Sequence, residues 1–365
     1  MKIGILTFHR AENFGAVLQT YALQTFLELQ GNEVYVIDYR CPAIESAYHI
    51  FNPSILWSRK NVLITFKEYF IRLVSSRERW RKKKAYSRFR NQYLHLTSPL
   101  REITSDLGFD AYIVGSDQVW NLHITNGVDP HYFLDFPMRS SAIRIAYAAS
   151  SEYDPVGLMA RYELKISSLL SRFNAISVRE SLLQKEIQLY TEKRVMQCVD
   201  PTCLLSKHDY EMLAIRPRLK EYILVYQMHP MPEGLKLANR LAVEHHCEVV
   251  VIRGGVSAIK RRNELQSMDP REILGWMLNA KTIITSSFHG LTLSILLEKD
   301  VWVMDVENNL RQKNMLNMAG LSHRMISMSS EYNESTIDYD VVSRNLEQPI
   351  QESKAFLRTA LTLNE

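Results

Sequence analysis

Apolar and polar positions follow two alternating rhythms along this chain. Short apolar runs rich in β-branched residues fall at 3–7, 34–38, 111–114, 144–148, 175–178 and 195–199. A second series falls at 222–227, 248–252, 282–285 and 301–305. Between them lie stretches with apolar residues at helical spacing, at 17–29, 233–245, 271–279, 291–297 and 309–319. Strands joined through amphipathic helices predict βαβ units, parallel sheets and right-handed crossovers. Gly31 and Gly320 follow two of the helical stretches, where left-handed C-caps belong.

Two interruptions divide the pattern. Residues 41–105 carry a Pro-bearing loop and then a long helical stretch at about 62–93. Pro201 and Pro217 break the rhythm again between 200 and 221. The expected organisation is a Rossmann-like domain over 1–205 with a helical insertion at about 41–105. A second Rossmann-like domain follows over 206–328. A tail over 329–365, helical from about 338, packs back on the first domain. The fold class is therefore α/β, with two doubly wound domains facing across a cleft. In such sheets ligands sit outside the carboxyl ends of the strands. The loops at 9–15, 115–121, 177–180, 253–255 and 286–290 all fall there.

Composition changes this picture little. The 365 residues are 46% hydrophobic and 23% charged, which suits a soluble globular protein of about two domains. A net charge of +4 is too small to argue for nucleic acid, but it suits an anionic substrate or an acidic membrane surface. Cys41, Cys198, Cys203 and Cys247 show no metal-ligand spacing and no CxxC, so no metal is expected. The first strand does not read as a signal peptide, and no run is long and apolar enough to span a bilayer. A cytoplasmic, reduced-thiol location is expected.

The loop at 286–290 is the richest in chemistry. Ser286, Ser287, Phe288, His289 and Gly290 link a strand to a helix. The start of a helix attracts phosphate or carboxylate, and an imidazole there can move a proton near neutral pH. The same residues also fit a packed loop with an inert histidine. Gly115 lets the backbone turn closely against a ligand. Ser116 and Asp117 offer donors and acceptors, or Asp117 caps a following helix. Trp120 fits a sugar-stacking platform or core packing. Arg179 is placed to grip an anion from a strand end, or to pair with Glu180. Asn13 fits the cap of the helix that follows it, and His9 and Arg10 are cleft candidates beside it. The 9–15 loop contains neither GxGxxG nor GxxxxGK[ST], so dinucleotide and NTPase phosphate loops are absent. Arg311 and Lys313 would lie near the same mouth as His289, as anion ligands or plain surface charge.

Residues 77–90 form the strongest charge run, with eight cations against Glu78 and with Trp80, Tyr86 and Phe89 interleaved. A solvated helix face is the default for such a run. Peripheral contact with the inner face of a membrane is the alternative. No nucleic-acid motif accompanies it.

Several of these segments together resemble the polysaccharide pyruvyl transferase family. They are Ile3-Gly-Ile-Leu-Thr7 with Asn13-Phe-Gly-Ala-Val-Leu-Gln19, Val114-Gly-Ser-Asp-Gln-Val-Trp-Asn121, Tyr147-Ala-Ala-Ser-Ser151, Ser177-Val-Arg-Glu180, Val199-Asp-Pro-Thr202 and Ser286-Ser-Phe-His-Gly290. The resemblance implies two domains of the glycosyltransferase-B type. It also implies transfer of the pyruvyl group of phosphoenolpyruvate to sugar hydroxyls, with a cyclic ketal and phosphate as products. Phosphoenolpyruvate would be a co-substrate, with no further cofactor, and a sugar or lipid-linked glycan would be the acceptor. Arg179 and His289 would belong to the donor site, with Ser286, Ser287, Gly290 and Arg311 or Lys313 beside them. Asp117 would meet the sugar hydroxyl, near Gly115, Ser116, Trp120 and Asn13. A nucleotide-sugar glycosyltransferase and a non-catalytic glycan-binding protein are the competing readings.

Overall fold

The computed structural model describes residues 1–48, 70–151, 160–258, 263–305, 310–326 and 335–363. Twelve strands form two parallel six-stranded sheets. The first contains β1 (Lys2–Leu6), β2 (Glu33–Val36), β3 (Ala111–Val114), β4 (Ile143–Ala149), β5 (Ala175–Val178) and β6 (Val195–Gln197). Its order is β2-β1-β3-β4-β5-β6. The second contains β7 (Ile223–Gln227), β8 (Val249–Arg253), β9 (Glu264–Leu265), β10 (Thr282–Thr285), β11 (Asp300–Met304) and β12 (Met325–Ile326), in the order β12-β11-β10-β7-β8-β9. The helices are α1 (Phe14–Leu29), α2 (Pro42–Tyr48), α3 (Ser76–Tyr93), α4 (Glu163–Leu170), α5 (Ser181–Gln188), α6 (Lys207–Leu213), α7 (Pro232–Glu244), α8 (Pro270–Asn279), α9 (Phe288–Leu296), α10 (Leu310–Ala319) and α11 (Tyr339–Leu361). The α/β class with two doubly wound sheets is thus the one its hydrophobic rhythm predicts. The part of the expected 62–93 helix at 62–69 lies outside the described residues, as does Asn309 of the expected 309–319 helix.

In the first sheet the winding reverses between β1 and β3, and in the second between β7 and β10. Adjacent strands whose connections leave in opposite directions open a crevice at their carboxyl ends. The loops at those points are 7–13 and 115–121 in one lobe and 228–231 and 286–287 in the other.

Helix α1 sets how the lobes meet. Asn13 caps it, accepting from Gly15 N at 2.9 Å, as its side-chain chemistry predicts. Twelve of its residues are buried, from Phe14 to Leu27, so it is covered nearly all round. Its core continues from Ile3 and Ile5 of the first sheet to Leu224 and Tyr226 of the second. Phe14 meets Tyr226 edge-on, with ring centroids 5.7 Å apart. The α11 tail reaches back to the first sheet: Ser353 Oγ accepts from Val199 N at 2.9 Å, and Arg358 donates to Gln30.

Candidate active site at the junction of the two lobes

Asp200 is the hub. Strand β6 ends at Gln197, two residues short of the expected 199, because the chain turns there into the short 3-10 helix Pro201–Leu204. Asp200 caps that turn, its Oδ1 accepting from Thr202 N at 3.0 Å and Thr202 Oγ1 at 2.7 Å. Its Oδ2 accepts from Arg179 Nη1 at 2.6 Å and lies 3.5 Å from His289 Nε2. The imidazole therefore sits within ion-pair reach, while its buried Nε2 makes no well-formed hydrogen bond among the described residues. Burial alone would raise the Asp200 carboxyl. The charges of His289 and Arg179 outweigh it and hold Asp200 well below the usual carboxylate range. The 2.6 Å contact to Arg179 is the firmer cause, since the His289 contact is long.

Arg179 stands at the end of β5, buried among its partners. Nε donates to Glu180 Oε1 at 3.0 Å and Nη2 to Ser150 Oγ at 2.8 Å. Ser150 Oγ in turn donates to Glu180 Oε1 at 2.7 Å. Of the two readings of Arg179, the pairing with Glu180 is the one observed, with Asp200 as a second carboxylate partner. Its charge is balanced by two carboxylates, so it brings no surplus positive charge to a donor anion. Phe288 lies under it, 4.4 Å from guanidinium carbon to ring centroid, and Arg311 approaches the same ring at 5.5 Å.

His289 is seated by a missing side chain. A Cβ on Gly15 would fall 1.9 Å from His289 Nδ1, so only glycine lets the ring pack on α1. Ser287 is the N-cap of α9 and accepts from Gly290 N at 3.2 Å. That contact occupies the Gly290 N–H, which the sequence pattern offers to an anion. The Ser286 carbonyl accepts from Gln312 at 2.9 Å, tying this loop to α10.

In the loop after β3 the core-packing reading of Trp120 holds, while Ser116 and Asp117 differ from expectation. Trp120 is fully buried, stacked on Phe133, and donates to Tyr132 O at 2.9 Å. It offers no face to a sugar, because its ring packs in the core against Phe133 and Phe173. Ser116 is equally buried and donates to Ala148 O. No helix follows Asp117, whose Oδ1 accepts from Gln118 N inside a turn and whose φ is +68°. Gly115 has φ +116°, and a Cβ there would strike Tyr147 O at 2.1 Å, so glycine is required by the backbone itself.

Lys313 stands apart, half-exposed and 3.9 Å from Asp305. Its position on α10 turns it away from the Phe288 ring that Arg311 approaches. His9 and Arg10 both converge on Asp38: His9 Nε2 lies 3.0 Å from it, and Arg10 grips it with two hydrogen bonds at 2.6 and 2.7 Å. Sequence reasoning missed Asp200 and Gly15 as site residues. Asp-Pro-Thr reads locally as a cap, and a glycine in a helix start carries no sign of the ring packed on it. No group of side chains suited to a metal occurs among the described residues, and none of their helices is long and apolar enough to cross a membrane.

Solved structures with a similar trace include UDP-GlcNAc 2-epimerase from Neisseria meningitidis bound to UDP-GlcNAc (10% identity, 99% of this chain and 94% of that one, TM-score 0.44). The Methanocaldococcus jannaschii UDP-GlcNAc 2-epimerase is similar at 8% identity, over 98% and 99% of the two chains, with a TM-score of 0.44. ADP-heptose LPS heptosyltransferase II of E. coli follows at 11% identity, over 97% and 100%, with a TM-score of 0.35. At that distance none of them speaks to chemistry. No curated protein sequence matches the chain. The family model for polysaccharide pyruvyl transferases matches residues 13–308, from the Asn13 cap past the His289 loop. With most of its length under that one model, this chain belongs to the polysaccharide pyruvyl transferase family.

Proposed function

We propose that this protein moves the pyruvyl group of phosphoenolpyruvate onto two hydroxyls of one sugar in an exopolysaccharide or lipid-linked glycan precursor. A proton added to the methylene carbon makes a methyl group and leaves a cationic carbon. One sugar hydroxyl adds to that carbon, phosphate departs, and the second hydroxyl closes the cyclic ketal. Two hydroxyl protons are lost; one is balanced by the new C–H bond and the other by the released hydrogen phosphate. His289 carries the proton transfer, since imidazole titrates near neutrality and this ring has a nitrogen without a formed hydrogen bond. Asp200 faces the ring, and Arg179 fixes Asp200. Asp117 is the proposed partner of the sugar hydroxyl.

The observation that carries this reading is the convergence of Arg179 and His289, from opposite lobes, on one carboxylate in a member of this family. The experiment is phosphate release from phosphoenolpyruvate in the presence of glycan acceptors. His289→Ala should lower kcat by roughly 10²–10⁴-fold with a much smaller change in donor KM. A variant with wild-type kcat removes His289 from the chemistry.

A further inference from the structure

Helix α3 turns two different stripes to its surroundings. The inner stripe is pinned to both lobes. Lys82, Tyr86, Phe89 and Arg90 are buried. Phe89 meets Tyr21 of α1 edge-on, with ring centroids 6.2 Å apart. Lys82 donates to Gly254 O at 2.6 Å, Ser267 to the Glu78 carbonyl at 2.8 Å, and Arg271 of α8 to the Tyr93 hydroxyl at 2.8 Å. Residues 70–74 are helical as well, and Ser75 joins them to α3. Its N–H donates to Ile71 O, and Arg79 N donates to Ser75 O, both at 2.9 Å. The stretch from 70 to 93 is therefore one nearly continuous helix, held along its inner side.

The outer stripe faces away from both lobes. Phe70, Leu73, Val74 and Trp80 lie on it, each more than half exposed. Arg77, Arg81, Lys84 and Arg88 are exposed on the same side. These positions follow one another at steps of three and four, so they share one helix face. Glu78 is the single acid between 70 and 93, and it pairs with Arg81 at 2.7 Å. Arg77 and Arg88 make no hydrogen bond or ion pair among the described residues. Lys84 Nζ stands 5.1 Å from the centroid of the Trp80 ring. Apolar side chains scattered singly over a surface need no explanation, but a row of them running into a row of cations does.

We infer that this outer face docks flat on an anionic lipid bilayer. Lipid phosphates supply the charge that Arg77, Lys84 and Arg88 lack. Phe70, Leu73 and Val74 enter the boundary between headgroups and acyl chains, and the Trp80 ring lies at headgroup level beside the Lys84 ammonium. Both halves of the stripe thus find a partner in one surface. A nucleic acid would meet the cations but leave the apolar half in water, and a neutral membrane would do the reverse. None of the described helices is long and apolar enough to cross a membrane, so the contact is one of lying on the surface. Because the inner stripe is tied to both lobes, docking holds the whole protein at one attitude to the bilayer. The inference rests on the pyruvyl-transfer reading only for what the bilayer brings, a lipid-linked glycan acceptor.

Flotation of the full chain with lipid vesicles tests it. Neither phosphoenolpyruvate nor glycan is present, so the outcome is independent of the chemistry proposed above. The wild type should bind vesicles of mixed phosphatidylglycerol and phosphatidylcholine, bind pure phosphatidylcholine far more weakly, and come off the mixed vesicles as salt rises. The triple variant Arg77→Gln/Lys84→Gln/Arg88→Gln should weaken binding to the mixed vesicles by about tenfold or more. Leu73→Ser/Trp80→Ser should weaken it by about tenfold as well. Both should melt with the wild type, because these side chains are exposed. Lys185→Gln/Lys236→Gln/Arg240→Gln removes as many exposed cations from α5 and α7 and should bind as the wild type does. An equal loss in that control means that net charge alone drives binding, and overturns the inference. A wild type that ignores the mixed vesicles, or α3 variants that bind them undiminished, overturns it too. So does binding to duplex DNA in place of vesicles, or a dimer that Leu73→Ser/Trp80→Ser separates while no form binds lipid.

Discussion

At the scale of single residues, the site depends on what is absent at Gly15 as much as on what is present at His289. Gly15→Ala places a methyl group where the imidazole now lies, 1.9 Å from Nδ1. The ring must swing off Asp200 or α1 must shift. The expected cost is about 1–3 kcal/mol of stability, and a misplacement of about 1 Å lowers kcat by about 10²-fold. Urea unfolding and turnover measured together check both figures; unchanged turnover would mean that the ring's position is immaterial. Asp38 offers a second test, by pH. Burial raises its carboxyl, but the hydrogen bonds of His9 and Arg10 outweigh that and bring it down to about 2. Burial meanwhile pushes His9 toward losing its proton, so His9 is the less certain contributor, and the two short Arg10 contacts suffice by themselves. A depressed carboxyl stabilises the fold above its unfolded value of about 3.9 and loses that contribution as pH falls toward 2. Asp38→Asn should therefore be less stable than wild type at pH 6, by on the order of 2 kcal/mol, with the gap closing between about pH 4 and pH 2. A gap that stays constant down to pH 2 would contradict this. His289 was singled out in the sequence as a histidine between a strand and a helix, where a packed, inert ring fits as well. Asp200 and Gly15 were not, because their roles depend on partners far along the chain.

At the scale of elements, the hydrophobic rhythm located three strands residue for residue: Ala111–Val114, Ala175–Val178 and Thr282–Thr285. All three are buried throughout or nearly so, and continuous burial leaves a continuous apolar signal. β9 and β12 escaped it because two residues are too few to show a period. The charge run of α3 is mostly the solvated face it was read as, with only Lys82 and Arg90 of its cations turned inward. A helix rich in cations reads as solvated unless the partner that draws one stripe inward is known, and here that partner includes the other lobe. The tail helix α11 shows how a remote element braces the site. Ser353 Oγ accepts from the Val199 N–H, and Tyr147 donates to the Val199 carbonyl at 3.1 Å, so the residue before Asp200 is held on both sides. Ser353→Ala leaves the Val199 N–H buried without its acceptor, at a cost of about 1–3 kcal/mol. It should also lower kcat severalfold by loosening Asp200, with donor binding little affected. Equal stability of variant and wild type in urea would show that the brace is idle.

At the scale of the whole molecule, the two lobes are closed on one another. The cavity lined by Arg179, Glu180, Asp200, Phe288 and Arg311 measures only about 20 Å³, enough for about one water molecule. Small-molecule sites usually need roughly 300–1,000 Å³. If phosphoenolpyruvate reaches His289, the lobes must first part. Besides the apolar core around α1 and Arg179 stacked on Phe288, two polar contacts hold them at this point: Asp200 with His289 at 3.5 Å, and Ser181 of α5 with Asn314 of α10 at 3.2 Å. Neither polar contact is costly to break, since one is long and the other joins two neutral side chains. Closure after binding would exclude water from the cationic carbon, which water would otherwise capture in place of the sugar. A Ser181→Cys/Asn314→Cys pair, bridged by a short bis-maleimide, turns this into a measurement. Bridged before substrate is added, the protein should lose at least tenfold in turnover, while each single cysteine variant treated with the same reagent keeps its rate. The unbridged pair should stay near wild type, because neither residue touches the proposed reacting groups. If the bridged protein turns over at the unbridged rate, substrate enters by a route that leaves α5 and α10 together, and the closed junction seen here is itself the working form.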